Sequence, residues 1–229
     1  MATDETPHSV ALKKLLEKAK DTISVEELNE RLDGLVNGDR TQAEIDDYRL
    51  HRGTVKKLTD EIFPVSRLLR YRRIKNGLVS FPLDSHVPDA WLTRKGSKVG
   101  IEVTISQGVA RNVLGNKLVK AKGAVGGYSG LQDDAKKKAI KAAAKSERAM
   151  YSTKEAQASV EKGILACLKK KNAKKYAGMT LLIEAPLGSL PFKRWKPLVP
   201  RLKKAAKDMP FSQIYVVSKS DKVMGMRIK

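Results

Sequence analysis

The sequence predicts an α/β fold in which a mixed central sheet is flanked by helices and preceded by a helical extension. Three observations carry this reading. Two hydroxyl-to-glutamate capping patterns open amphipathic helices near the N-terminus, Ser24 with Glu27 and Thr41 with Glu44. A cluster of short strand-like segments separated by turn residues follows. Two near-continuous apolar runs, MTLLIEA at 179–185 and QIYVV at 213–217, then have the composition of central strands buried on both faces.

The elements follow in order. Residues 1–8 read as a disordered start. Val10, Leu12, Leu15, Leu16 and Ala19 recur at helical spacing over 9–22. The two capping patterns predict helices over 25–36 and 42–60, separated by Asn37-Gly38. A helix continues or restarts over 54–75, with Pro64 marking a kink or break. Asn76-Gly77 turns the chain into a strand at 78–83, and strands at 89–94 and 99–106 follow around the turn composition Arg94-Lys95-Gly96-Ser97-Lys98. Gly123, Gly126, Gly127 and Gly130 predict a flexible loop or arm over 108–134. The Ala- and Lys-rich stretch 135–150 predicts a helix that buries little. Helices are expected over 153–171 and 195–207, and an edge strand over 223–228. The division expected is an acidic helical extension over 1–53 and a basic α/β domain over 54–229, with a Gly/Lys-rich arm at 108–150.

The formal net charge is +21 over 229 residues, and it is unevenly spread. Residues 1–50 carry 7 basic and 12 acidic groups, whereas residues 111–229 carry 28 and 8. Such an excess selects polyanions, with DNA favoured over RNA and a membrane surface disfavoured. No apolar run approaches the roughly 18 residues of a membrane span. One cysteine, Cys167, excludes a disulfide framework within the chain, and three scattered histidines argue against a His-based metal site. The expected location is cytoplasmic. Walker A, Rossmann, zinc-finger and Ser–His patterns are absent from the sequence.

The chemistry concentrates in Pro88-Asp89 and Gly100-Ile101-Glu102-Val103-Thr104. A hairpin between the two segments brings Asp89 and Glu102 together. Two converging carboxylates suit a hard divalent cation held through oxygen. Alternation puts Glu102 and Thr104 on the face opposite Ile101 and Val103. If that face is covered, the carboxylate needs a metal or a partner.

These residues resemble the PD-(D/E)XK (restriction-endonuclease-like) nuclease superfamily. Pro88-Asp89 matches the first half of the motif, and Glu102-Val103-Thr104 sits at the second. The resemblance covers roughly residues 54–218. It implies a metal-dependent endonuclease that hydrolyses DNA phosphodiester bonds, working as a homodimer. It also implies that Asp89, Glu102 and the main-chain carbonyl of Val103 hold Mg²⁺ or Mn²⁺, with Glu61 (or Asp60) as a further ligand from the preceding helix. The family's lysine falls on Thr104, which carries no charge. Lys162, Lys117 or Lys120 are the substitutes expected, with Gln107 as a polar alternative. Otherwise the site is degenerate and the protein binds DNA or RNA without cutting, in a defence, mobile-element or phage context. Phosphate contacts are expected from Arg111, Lys117, Lys120, Lys122, Lys136, Lys137 and Lys138, and base stacking from Tyr128.

Overall fold

The computed structural model describes residues 5–84, 86–121, 128–146, 151–219 and 224–229. The N-terminal half runs α1 (Pro7–Asp21), β1 (Ile23–Ser24), α2 (Val25–Asn37), α3 (Gln42–Leu50), α4 (Gly53–Lys57), a π-helical turn (Leu58–Ile62) and α5 (Phe63–Tyr71). A meander follows: β2 (Leu78–Ser80), β3 (Ala90–Arg94) and β4 (Ser97–Ile105). The rest comprises α6 (Gly108–Ala121), α7 (Lys137–Lys145), α8 (Thr153–Lys170), β5 (Thr180–Ala185), α9 (Val199–Ala206), β6 (Gln213–Ser218) and β7 (Gly225–Arg227). The strands form one seven-stranded mixed sheet in sequence order. β1 to β4 are antiparallel, β4–β5–β6 are parallel, and β7 returns antiparallel.

Local chemistry accounts for the helix ends. Thr6 caps α1, accepting the Ser9 N–H, so the helix begins at Pro7. The Thr41–Glu44 capping box is complete. The Ser24 box is half made: Ser24 accepts the Glu27 N–H, but the Glu27 carboxylate turns to Lys18 and Arg31 instead. The helix expected over 42–60 is interrupted at His51, which adopts a left-handed conformation (φ 52°). Between α4 and α5 the Phe63 N–H bonds the Leu58 carbonyl, five residues back. Pro64 supplies the reason, since its ring lacks an N–H and crowds the carbonyl four residues earlier.

Side-chain alternation divides the core between the two faces of the sheet. Ile101, Val103, Leu182, Tyr215 and Val217 pack with α1, α2 and α5. Leu181, Ile183, Ile214 and Val216 face α8, α9 and the fully buried Trp195. The N-terminal region is part of this core rather than an appendage. β1 pairs with β2, and Leu12, Leu15, Leu28 and Leu32 belong to the first cluster.

The largest departure from expectation is α6, a helix where residues 108–121 read as a loop. Its own amphipathicity is weak, and it is fixed by close packing on α3. A Cβ added at Gly115 would lie 2.0 Å from the Arg49 carbonyl oxygen, so only glycine permits the approach. Arg49 in turn donates to the Leu118 carbonyl. Residues 1–4, the glycines 123–127 and the end of the Lys-rich stretch at 147–150 lie outside the described residues. No helix among the described residues is long and apolar enough to cross a membrane.

Candidate functional site

The β3–β4 hairpin sets the first two residues. Ala90 pairs with Ile101, so Asp89, one residue before β3, stands opposite Glu102. The Val103 N–H donates to Asp89 Oδ2 at 2.7 Å, which fixes the carboxylate against β4. The Val103 side chain packs into the first core cluster. The Asp89 pKa is pushed up to about 6. Burial is the main cause, opposed by the Val103 hydrogen bond and reinforced by the charges of Glu102 and Glu61.

Glu102 and Thr104 do point away from Ile101 and Val103, and α8 covers them. Glu102 is only 4% exposed. Its partner is Lys171, whose ammonium lies 2.5 Å from Glu102 Oε1. Lys171 is the C-cap of α8, and its N–H bonds the Cys167 and Leu168 carbonyls. A cation is favoured at a helix C-terminus, and Tyr176 adds its ring face 5.4 Å from the ammonium. Burial works against the charge, but the hydrogen bond and charge of Glu102 outweigh it and hold the Lys171 pKa above its usual value. Thr104 packs against Cys167, with Oγ1 3.8 Å from Sγ.

Glu61 arrives from the π turn. It is 9% exposed, its Oε1 accepts from Lys57 at 2.6 Å, and burial raises its pKa against that pairing. Lys57 also donates to the Asp84 carbonyl, tying the turn to the approach into β3. Asp60 points elsewhere, to Arg111 and Lys56. Two carboxylate oxygens, Glu61 Oε2 and Glu102 Oε2, are buried without a hydrogen-bond partner. Unsatisfied buried oxygens of this kind suit a hard cation, and an all-oxygen donor set of Asp89, Glu102 and Glu61 fits Mg²⁺ or Mn²⁺ chemically. Among the described residues, no three such groups are already arranged to enclose a metal ion.

The expected lysines are not in this cluster. Lys162 lies on α8 but is exposed, Lys120 is exposed on α6, and Lys117 bonds the Ser146 carbonyl. The residue that reaches Glu102 is Lys171, nine positions beyond Lys162. Sequence reading missed it because the 169–171 lysine run also suits a helix terminus facing solvent. Gln107 is buried past the end of β4 and donates to the Ser159 carbonyl and hydroxyl at 2.9 Å, so it supports the loop against α8. Arg111 is bound to Asp60 at 2.7 Å. Tyr128 meets Tyr151 edge to face. Lys136, Lys137 and Lys138 are solvent-exposed around the start of α7. Lys122 lies outside the described residues.

The raised Asp89 pKa carries a pH signature. The fold favours the protonated carboxyl, so its contribution to stability is complete below about pH 4. That contribution is lost as pH rises through about 6. In metal-free buffer, the urea midpoint of Asp89→Asn should fall less than that of wild type over this interval. Identical slopes for the two proteins would show that Asp89 titrates normally.

No protein-family model matches the chain, and no curated protein or solved structure matches it either.

Proposed function

We propose that this protein is a metal-dependent endonuclease that hydrolyses DNA phosphodiester bonds on a restriction-endonuclease-like scaffold. The observation that carries the reading is the meeting of Asp89, Glu102 and Lys171. The PD-(D/E)XK resemblance requires two carboxylates and an ammonium group, and Thr104 supplies no ammonium. Lys171 brings one to Glu102 from α8. The strand order supports the same reading: a meander of β2, β3 and β4 carries the motif, and parallel β5 and β6 extend the sheet.

Asp89, Glu102 and Glu61 would hold Mg²⁺, with the Val103 carbonyl as the main-chain donor. The metal, when bound, polarises the scissile phosphate and acidifies an attacking water. Asp89 would bind the metal as the carboxylate, and because burial raises its pKa in the metal-free protein, metal affinity should rise with pH. Lys171 holds Glu102 in place and brings positive charge to where the phosphate accumulates negative charge. Lys57 orients Glu61 in the same manner. The exposed lysines around α7 offer contacts to the DNA backbone, which position the duplex without reading its sequence.

One observation favours a second reading, a non-catalytic DNA- or RNA-binding protein. Glu102 and Glu61 each already have an ammonium partner, so their charges are balanced without a metal. Nicking of supercoiled plasmid with Mg²⁺ or Mn²⁺ separates the two. Binding without nicking across both metals would establish the binding module. Either way, about six phosphate contacts should make log K fall with log salt at a slope of about −5. Replacing Lys136, Lys137 and Lys138 by alanine should flatten that slope without altering sequence preference. Salt-independent affinity would remove nucleic acid as the partner.

A further inference from the structure

Buried side-chain atoms without partners cluster at two places in the described residues. Two belong to Glu61 and Glu102. The other five are Ser106 Oγ, Gln107 Oε1, Ser129 Oγ, and Nε and Nη1 of Arg111. All five come from residues lining one cavity of about 110 Å³, where β4, β5 and β6 end and α6 begins. Its wall also carries Glu184 and Lys219. Buried hydrogen-bonding groups are rarely left unmade, so five around one cavity suit a polar ligand.

Charge decides its nature. Glu184 is held by Arg67 at 2.5 Å, and Asp60 is shared between Arg111 and Lys56. Lys219 has no carboxylate within ion-pair distance among the described residues. The cavity therefore carries a net positive excess. Although more than a third of the surface of Lys219 is accessible, its pKa is lowered to about 8. Burial is the leading cause, and Arg111 and Arg67 add to it against the opposing charge of Glu184. An anion would relieve that crowding. Two Arg111 donors, two hydroxyls and an ammonium converge, which suits a tetrahedral oxyanion with several acceptor oxygens better than a two-oxygen carboxylate. The Gln107 amide nitrogen is already committed to Ser159, so Oε1 remains an acceptor for a phosphate hydroxyl. The first turn of α6 borders the cavity, with its Val109 N–H already bonded to the Asp133 carboxylate, so the α6 N-terminus is not counted among the donors. The cavity has room for a phosphate group.

We infer that this cavity is a binding site for a single phosphate group, either the free ion or the terminal phosphate of a nucleic-acid strand. It lies along β4 from Glu102 by four residues, roughly 13 Å, and does not depend on metal-dependent cleavage.

The test uses the full chain in metal-free buffer. Inorganic phosphate should raise the melting temperature saturably above a chloride control of equal ionic strength. Lys219→Met and Ser106→Ala should weaken phosphate affinity by roughly tenfold or more. Arg111→Gln should do the same if it folds, and the other two variants decide if it does not. Oligonucleotides of one sequence, with 5′-phosphate, 3′-phosphate or neither, then identify the source. A preference of roughly tenfold for one phosphorylated end, lost in Lys219→Met, assigns the site to strand ends. Equal oligonucleotide affinities with saturable inorganic phosphate binding assign it to the free ion. No saturable phosphate response and no end preference would overturn the inference, as would an undiminished response in both Lys219→Met and Ser106→Ala.

Discussion

Glu102→Gln should abolish Mg²⁺-dependent nicking of supercoiled plasmid while leaving DNA affinity nearly intact. The substitution keeps the shape of the side chain and an oxygen for Lys171, but it removes a charged metal ligand. Metal-ion stabilisation of a phosphoryl transition state amounts to several kcal/mol, so the loss should be roughly a thousandfold or more in rate. Lys171→Ala should reduce cleavage as deeply while metal still binds, because the ammonium acts on the developing charge. Lys162→Ala, which alters an exposed position on the same helix, should leave the chemical step unchanged. Lys117→Ala and Lys120→Ala should alter at most binding. Equal nicking by wild type and Glu102→Gln would sink the catalytic assignment. Strong cleavage by Lys171→Ala would show that the charge comes from elsewhere or is not needed.

The same ion pair predicts a large effect on stability, measurable without any substrate. Glu102 is 4% exposed and its counter-charge comes from one residue. Lys171→Met leaves a buried carboxylate without its partner, which costs about 3 kcal/mol or more. Glu102→Gln in the Lys171→Met background should recover much of that loss, since a neutral amide no longer needs the ammonium. Urea unfolding of the four proteins yields the coupling directly, and about 2 kcal/mol of non-additivity is expected. Additive effects within about 0.5 kcal/mol would mean that the two groups do not depend on each other in solution.

The two predictions draw on different parts of what the sequence made legible. The hairpin was visible because β-alternation and Gly96 in its turn are local properties, and the observed strands at 90–94 and 97–105 follow from them. The buried run at 180–185 was visible because a strand covered on both faces cannot carry alternating polarity. The pairing of Glu102 with α8 was visible only as a condition, since one strand does not reveal what covers it. Helix α6 was not legible. Its apolar pattern is weak, and its place depends on Gly115 meeting Arg49, two residues far apart in the chain.

By itself, then, the sequence determined the order of strands β2 to β6 and of the helices other than α6, the mixed sheet, the basic charge excess and the facing of Asp89 and Glu102. Each follows from period, propensity or composition within a short window. The tertiary structure alone decided which lysine serves Glu102. Lys162, Lys169, Lys170 and Lys171 are chemically alike along α8, and nothing local distinguishes them. Only the packing of α8 across β4 places its C-terminus, and not its middle, over the carboxylate. The gathering of Ser106, Gln107, Arg111, Ser129 and Lys219 around one cavity was likewise beyond sequence reading. Those residues come from three separate stretches, and it is the parallel alignment of β4, β5 and β6 that brings their ends to one place.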